Sequence, residues 1–315
     1  MPELPDLVHV ANVLGPALGG RRVTAARTGD PTVLRMMVPG DFGPAMTGRL
    51  VEAIERRGHF LRFAFSDDRV LVVNAMLVGK YRLLTAQEAA REKDPVALGF
   101  ALGFDDGREL RYVDDKRMGK VYVAPSARLH EVPVLSTLGV EILSDAFTLA
   151  HFRKLAAKRR DQVRQFLMDK RAIASIGNAY ADEILFAAKL HPKTFMNKLA
   201  PAQIDALYHA VREVMTSAIE AIRQRDEPVE VKVRDFLAVR GRGGQPCPVC
   251  GTTIREVRVG DGDACFCPQC QPATRSLFVD WGKLAAERGA TAAAPSAPAT
   301  KKATKKAPKP GRPRG

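Results

Sequence analysis

Pro2 and Glu3 open the chain in the run Met1-Pro2-Glu3-Leu4-Pro5-Asp6. Removal of Met1 ahead of this small residue would leave Pro2 with a free secondary amine. Such an amine attacks an electrophilic sugar carbon, and the cationic iminium that results acts as an electron sink. Its pKa lies near or above the α-amino value of about 7.7–8.0, so attack at neutral pH calls for removal of a proton. Glu3 is the adjacent carboxyl that could move it. A proline at this position also starts helices, and these residues alone leave both readings open.

The second group is sulfur. All five cysteines fall between Cys247 and Cys270, in Cys247-Pro-Val-Cys250 and, sixteen residues on, Cys267-Pro-Gln-Cys270. Two matched C-x-x-C knuckles at this spacing predict one tetrahedral Zn²⁺ held by four thiolates, with the intervening residues as a β-hairpin. Four protein ligands leave no open coordination position, so this zinc would build a fold and catalyse nothing. Cys265 reads as a spare thiol.

The third group is Ser175-Ile176-Gly177-Asn178-Ala179-Tyr180-Ala181-Asp182-Glu183, which reads as a turn into a helix. Gly177 permits an unusual backbone angle, Asn178 suits the N-cap, Asp182 and Glu183 suit the first turn, and His191-Pro192 ends the helix. Exposed amides at such a helix start suit a phosphate. A plain capped helix is the competing reading.

Leu7, Val10, Ala11, Leu14 and Leu18 recur at helical spacing across 6–18, with Gly19-Gly20 as the stop. The positive end of this helix would hold Glu3. From Val23 to Val123 the text changes to short β-branched and aromatic runs: Leu50–Ile54, Phe60–Phe65, Val70–Asn74, Gly99–Phe104 and Leu110–Val113. Asp67-Asp68 and Asp105-Asp106-Gly107 are hairpin signals between them, and the pattern predicts an antiparallel sandwich or barrel. The expected organisation is 1–123 for this catalytic sandwich, 124–145 as a connection, 146–227 helical, 228–284 a zinc ribbon and 285–315 a disordered basic tail.

The 315 residues carry a formal charge of +14, which favours a polyanionic partner. Eight Lys and Arg and no acid follow Glu287, so the body keeps only +6, and charge alone does not establish nucleic-acid binding. Within the tail, Gly311-Arg312-Pro313 is similar to the core of an AT-hook, with a nonspecific basic tail as the alternative. No apolar run approaches the roughly 20 residues of a membrane span, and the acidic N-terminus is unlike a signal peptide, so a cytoplasmic protein is expected.

Taken together the segments resemble the formamidopyrimidine-DNA glycosylase and endonuclease VIII family of base-excision repair enzymes. The resemblance is carried by MPELPD, by RYVDDKRMGK at 111–120, by LGVEILSDAF at 138–147, by SIGNAYADEILFAAKLHP at 175–192 and by GRGGQPCPVCGTTI…CFCPQC across 241–270. It implies an α+β multidomain fold: an N-terminal β-sandwich with an N-terminal helix, a helix–two-turn–helix domain and a C-terminal four-cysteine zinc ribbon. It further implies a monomer that acts on damaged double-stranded DNA, nucleoid-associated when bound, with a flipped-out lesion. Pro2 would attack C1′ and expel the base, Glu3 would handle protons at the sugar, and β- then δ-elimination would nick the strand. Asn178 would contact phosphate, as would the zinc hairpin near Arg255 or Arg258.

The chain also departs from that pattern. The family usually places a catalytic lysine after two arginines, whereas this chain reads Arg56-Arg57-Gly58-His59. His59 is expected to serve as a weaker anion clamp, or else as a satisfied histidine at the core edge. Asp6 replaces the usual glutamate, and Gly260-Asp261-Gly262-Asp263-Ala264 stands where a hairpin arginine is usual, leaving Arg258 to take over. Met76, Leu77, Lys116, Arg117 and Met118 stand at the void-filling positions, where an apolar wedge can enter a base step. The rival readings are a catalytically weak lesion binder and a zinc-ribbon nucleic-acid scaffold.

Overall fold

The computed structural model describes residues 2–260 and 262–273, so the basic tail lies outside the described residues. Helix α1 (Leu4–Leu18) begins where Asp6 accepts a hydrogen bond from the Glu3 amide at 2.8 Å, and Pro5 supplies a preset first-turn angle. Its apolar stripe serves two cores at once. Leu4 packs among the helices that follow, while Val10, Leu14 and Leu18 pack into the sheets. The N-terminus is thereby fixed at the junction between the two.

The first part contains β1 (Val23–Thr28), β2 (Leu34–Met36), α2 (Phe42–Met46), β3 (Val51–Arg57), β4 (Phe60–Phe65), β5 (Arg69–Asn74), β6 (Lys80–Leu84), α3 (Ala86–Arg91), β7 (Leu98–Phe104), β8 (Glu109–Val113) and β9 (Lys120–Pro125). A five-stranded sheet runs β2-β9-β5-β4-β3 and a four-stranded one β1-β7-β8-β6, with every pairing antiparallel except β2 with β9. Phe63, Phe65, Leu71 and Val73 from one sheet meet Phe100, Leu102, Leu110 and Tyr112 from the other in a shared core. The arrangement is a sandwich. The outer face of the larger sheet is also buried, because Val132 and Leu135 of the connection cover Phe60, Val70, Val72 and Tyr122. Double-sided burial explains why β5 reads as a continuous apolar run with no alternation.

Asn74 pairs with Lys120 across β5 and β9, and Lys80 with Val113 across β6 and β8. The loops 75–79 and 114–119 therefore leave the sandwich at the same end.

The connection forms β10 (Val140–Glu141), and α4 (Leu149–Ala157) and α5 (Val163–Met168) follow. Then come β11 (Ile173–Ala174), parallel to β10, and α6 (Asn178–Ala187) and the long α7 (Pro201–Arg225). Phe147, Phe152, Phe166, Tyr180, Leu207 and Met215 lie in the core of this helical part. Beyond α7 the chain returns across α1 to the cysteine region, where β12 (Arg255–Val259) and β13 (Gly262–Phe266) make the expected hairpin. Among the described residues no helix is long and apolar enough to cross a membrane.

Candidate active site

Glu3 is only 5 % exposed, and its carboxylate accepts hydrogen bonds from the amides of Gly177 (3.0 Å), Ala179 (3.0 Å) and Tyr180 (3.2 Å). The free amides at the start of α6 are thus capped by a residue 174 positions earlier in the chain. Gly177 makes the approach possible, since a Cβ there would lie 2.5 Å from Glu3 Cδ. Burial pushes the Glu3 carboxyl above its ordinary range, and the Ala179 and Tyr180 amides pull in the opposite direction. A carboxyl so held suits proton transfer near neutral pH.

The structure revises the reading of this helix start. Gly177 is the N-cap residue, and Asn178 is the first helical residue, exposed, with Oδ1 accepting from Arg164 Nη2 at 2.8 Å. Asp182 and Glu183 lie beyond the first turn, and both are buried and tie other segments to α6. Asp182 binds Arg164 and Arg240, each at 2.8 Å, and Glu183 accepts from the amides of Ala238, Val239 and Arg240. Both serve as anchors because α6 is surrounded on all sides.

Pro2 is buried beside Glu3 and lines a small cavity with Asp6, Lys80, Tyr81 and Lys232. Asp6 receives both Arg234 guanidinium nitrogens, at 2.7 and 2.6 Å, and Arg234 lies over the Tyr180 ring at 5.5 Å. The shorter Asp6 carboxyl thus reaches a fork-shaped partner on the returning segment. An open cavity of about 400 Å³ borders these groups, lined by Glu3, Leu77, Asn178, Lys232, Arg234 and Arg240. Burial lowers the Lys232 ammonium pKa, with Asp6 acting against it.

His59 does not form a charged clamp. It is 5 % exposed, its ring lies tilted against Phe60 with centroids 4.5 Å apart, and its Nδ1 has no hydrogen-bond partner among the described residues. Burial first, and the neighbouring Lys170 second, lower its pKa to about 4, so the imidazole is neutral at pH 7. It occupies the β3–β4 turn rather than a strand face, and Glu141 pins that turn through the Gly58 amide at 2.5 Å and Arg56 at 2.6 Å. Arg56 also reaches Ser175 Oγ at 3.2 Å.

Leu77 and Met118 are both exposed apolar residues, at 47 % and 40 %. The Asn74 side chain accepts from the Met76 amide at 3.0 Å, and Asp114 accepts from the amides of Lys116 and Gly119, so both loops are braced at their base. Met76 is half-buried and Lys116 is exposed, while Arg117 is bonded to Asp30 at 2.8 Å.

The four sulfurs of Cys247, Cys250, Cys267 and Cys270 lie within 4.8 Å of one another. Three of the separations are 3.4, 3.6 and 4.0 Å. Zn–S bonds of about 2.3 Å in a tetrahedron require edges of about 3.8 Å. The quartet fits one structural zinc. Cys265 stands outside it, with Sγ 3.7 Å from Glu256. On the hairpin, Arg255 is exposed and Arg258 faces Asp263 at 3.5 Å.

Sequence reasoning missed Arg164, Lys170, Lys232, Arg234 and Arg240. The Val- and Arg-rich stretch 228–246 falls in what the sequence marks only as zinc ribbon, because its partners, Asp6, Asp182 and Glu183, lie far away in sequence.

Comparison with known proteins agrees with this architecture. The formamidopyrimidine-DNA glycosylase N-terminal domain matches residues 1–121, the formamidopyrimidine-DNA glycosylase H2TH domain 138–226, and a zinc finger found in FPG and IleRS 244–273. The formamidopyrimidine-DNA glycosylase of Symbiobacterium thermophilum is 34% identical over 88% of this chain and 91% of its own length. That of Methylococcus capsulatus is 35% identical over 86% and 100%. The Lactococcus lactis Fpg, solved with DNA containing an abasic site, superposes with a TM-score of 0.77 at 26% identity, over 86% of this chain and all of the other. With the whole body aligned at these identities, the chain belongs to the formamidopyrimidine-DNA glycosylase family.

Proposed function

We propose that the protein is a bifunctional DNA glycosylase and abasic-site lyase of base-excision repair, with Pro2 as its nucleophile. The reading rests above all on the buried Glu3 carboxyl, held by three amides next to Pro2. The proline lone pair forms a bond to C1′ of a damaged nucleotide as the N-glycosidic bond breaks, and the base leaves with a proton. Glu3 takes up and returns protons at the sugar. Opening of the ring gives the iminium, which acidifies C2′. Loss of the C2′ proton expels the 3′ phosphate, a second elimination expels the 5′ phosphate, and water releases the amine.

Damaged duplex DNA is the partner, bound by a monomer in the cytoplasm. Leu77 and Met118, with Met76, Lys116 and Arg117 around them, would occupy the space left by the flipped nucleotide. Asn178 would hold a phosphate, with Arg255 and Arg258 at the edge of the contact. Neutral and buried, His59 supports the β3–β4 turn and carries no charge for the reaction. Borohydride reduction on a duplex with an abasic site should give a covalent adduct that maps to Pro2, with Met1 absent. An adduct on Lys170 or Lys232 would remove Pro2 from this role.

A further inference from the structure

Arg164, on α5 where the helices meet the zinc hairpin, is 2 % exposed. Its Nε donates to Asp182 Oδ1 at 2.8 Å, and its Nη2 donates to Asn178 Oδ1 at 2.8 Å and to the Asp263 carbonyl at 3.2 Å. Nη1 has no hydrogen-bond partner among the described residues. It faces an open pocket of about 330 Å³, lined by Arg164, Gln165, Asp169, Asn178, Gly260 and Gly262.

Gly262 is why that nitrogen faces space. A Cβ at this position would meet Asn178 Oδ1 at 3.2 Å and Arg164 Nη1 at 3.6 Å, so the hairpin offers no side chain where the guanidinium already lies. Asn178 is oriented by the same contact. Because Oδ1 accepts from Arg164, the amide NH₂, a pair of donors, points away from the arginine.

The charge count agrees. Arg164 and Arg240 share one buried carboxylate, Asp182, and both donate to the Asp263 carbonyl, so this trio carries one positive charge in excess. Among the described residues that line the pocket, the one carboxylate, Asp169, binds Arg159 at 2.7 Å, and Asp263 on the hairpin faces Arg258 at 3.5 Å. Buried guanidinium is costly unless all its donors are met, and an arriving oxyanion would complete the set.

Resting on the glycosylase reading and going beyond it, we propose that Arg164 Nη1 and the Asn178 amide together clamp one backbone phosphate of the DNA over this pocket. The cation comes from helix α5 and reaches the phosphate past a glycine in the zinc hairpin. Arg255 and Arg258 do not line the pocket.

The test uses the full, zinc-loaded chain and a duplex with a non-cleavable abasic analogue, in which a single uncharged methylphosphonate is walked along each strand. The unmodified protein should lose tenfold or more in affinity at one position near the lesion. Arg164→Gln should bind the ordinary duplex tenfold or more weakly and show no further loss at that position. Because Arg164 also holds Asp182, that variant could fail to fold, and Gly262→Asp then decides. It leaves the Arg164–Asp182 pair in place, crowds Asn178 Oδ1 and sets a carboxylate beside Nη1, so it should show the same insensitivity with unchanged zinc content and melting temperature. A folded variant that retains the full penalty at the same phosphate overturns the clamp. Borohydride trapping at Pro2, run on the same proteins, separates the two ideas: a Pro2 adduct with an unchanged phosphate profile leaves the glycosylase and removes only Arg164.

Discussion

At the scale of single residues, the contact between Gly177 and Glu3 is the tightest constraint on the reaction. A methyl group at 177 would sit 2.5 Å from Glu3 Cδ and must push the carboxyl off its three amides. Gly177→Ala should therefore lower base release by about a hundredfold, the lower end of what general acid–base catalysis supplies, about 10²–10⁴. Single-turnover excision kinetics would measure this, and wild-type rates would show that the Glu3 position is not needed. His59 makes a second, independent prediction. Its folded pKa of about 4 lies below the ordinary 6.5, so between these values the unfolded chain binds the extra proton. Stability should be complete above about pH 6.5 and fall as pH drops towards 4, by up to about 3 kcal/mol from this group. In urea melts from pH 7.5 to 4.5, His59→Phe should lose less stability than wild type. Identical slopes would mean that His59 is protonated in the folded protein.

Among elements, the zinc hairpin depends on its metal and also on α6. Cys247, Cys265 and Cys267 are buried together with Val239 and Ile254, and Asp182 accepts from the Cys265 amide at 3.0 Å. The hairpin core is too small to stand without its metal, so losing one thiolate should unfold it locally. Cys250→Ser should lose zinc and weaken DNA binding, whereas Cys265→Ser should keep one equivalent of metal. Metal analysis of the two purified variants checks the ligand set directly. Full zinc in Cys250→Ser would show that a different group completes the tetrahedron.

For the whole molecule, the distribution of charge separates chemistry from affinity. The residues after Glu287 hold eight of the positive charges and none of the groups that surround Glu3. If they lie along DNA, each phosphate neutralised adds about −0.9 to the slope of log K against log salt. A chain ending at Glu287 should bind duplex more weakly at low salt, with a shallower slope, while single-turnover cleavage at saturating protein stays unchanged. A greater loss on A·T-rich than on G·C-rich duplex would identify a minor-groove hook. An unchanged slope would take the tail off the DNA altogether.

The sequence by itself determined what depends on neighbours along the chain. Helical spacing marked α1, β-branched runs marked β4, β5, β7 and β8 within one residue and β3 three residues short at its end, and paired C-x-x-C knuckles marked the metal quartet. The linear motifs also identified Pro2 and Glu3 as candidates. Only the tertiary structure decided how those groups are held, because their partners are far away in sequence. Glu3 caps a helix 174 residues on, Asp6 meets Arg234, and Asp182 gathers Arg164, Arg240 and the hairpin. Periodicity cannot show such pairings, since a lone arginine or aspartate reads the same whether it faces water or a buried partner. His59 makes the same point in reverse: its chemistry depends on desolvation, and desolvation is a property of everything packed around a residue.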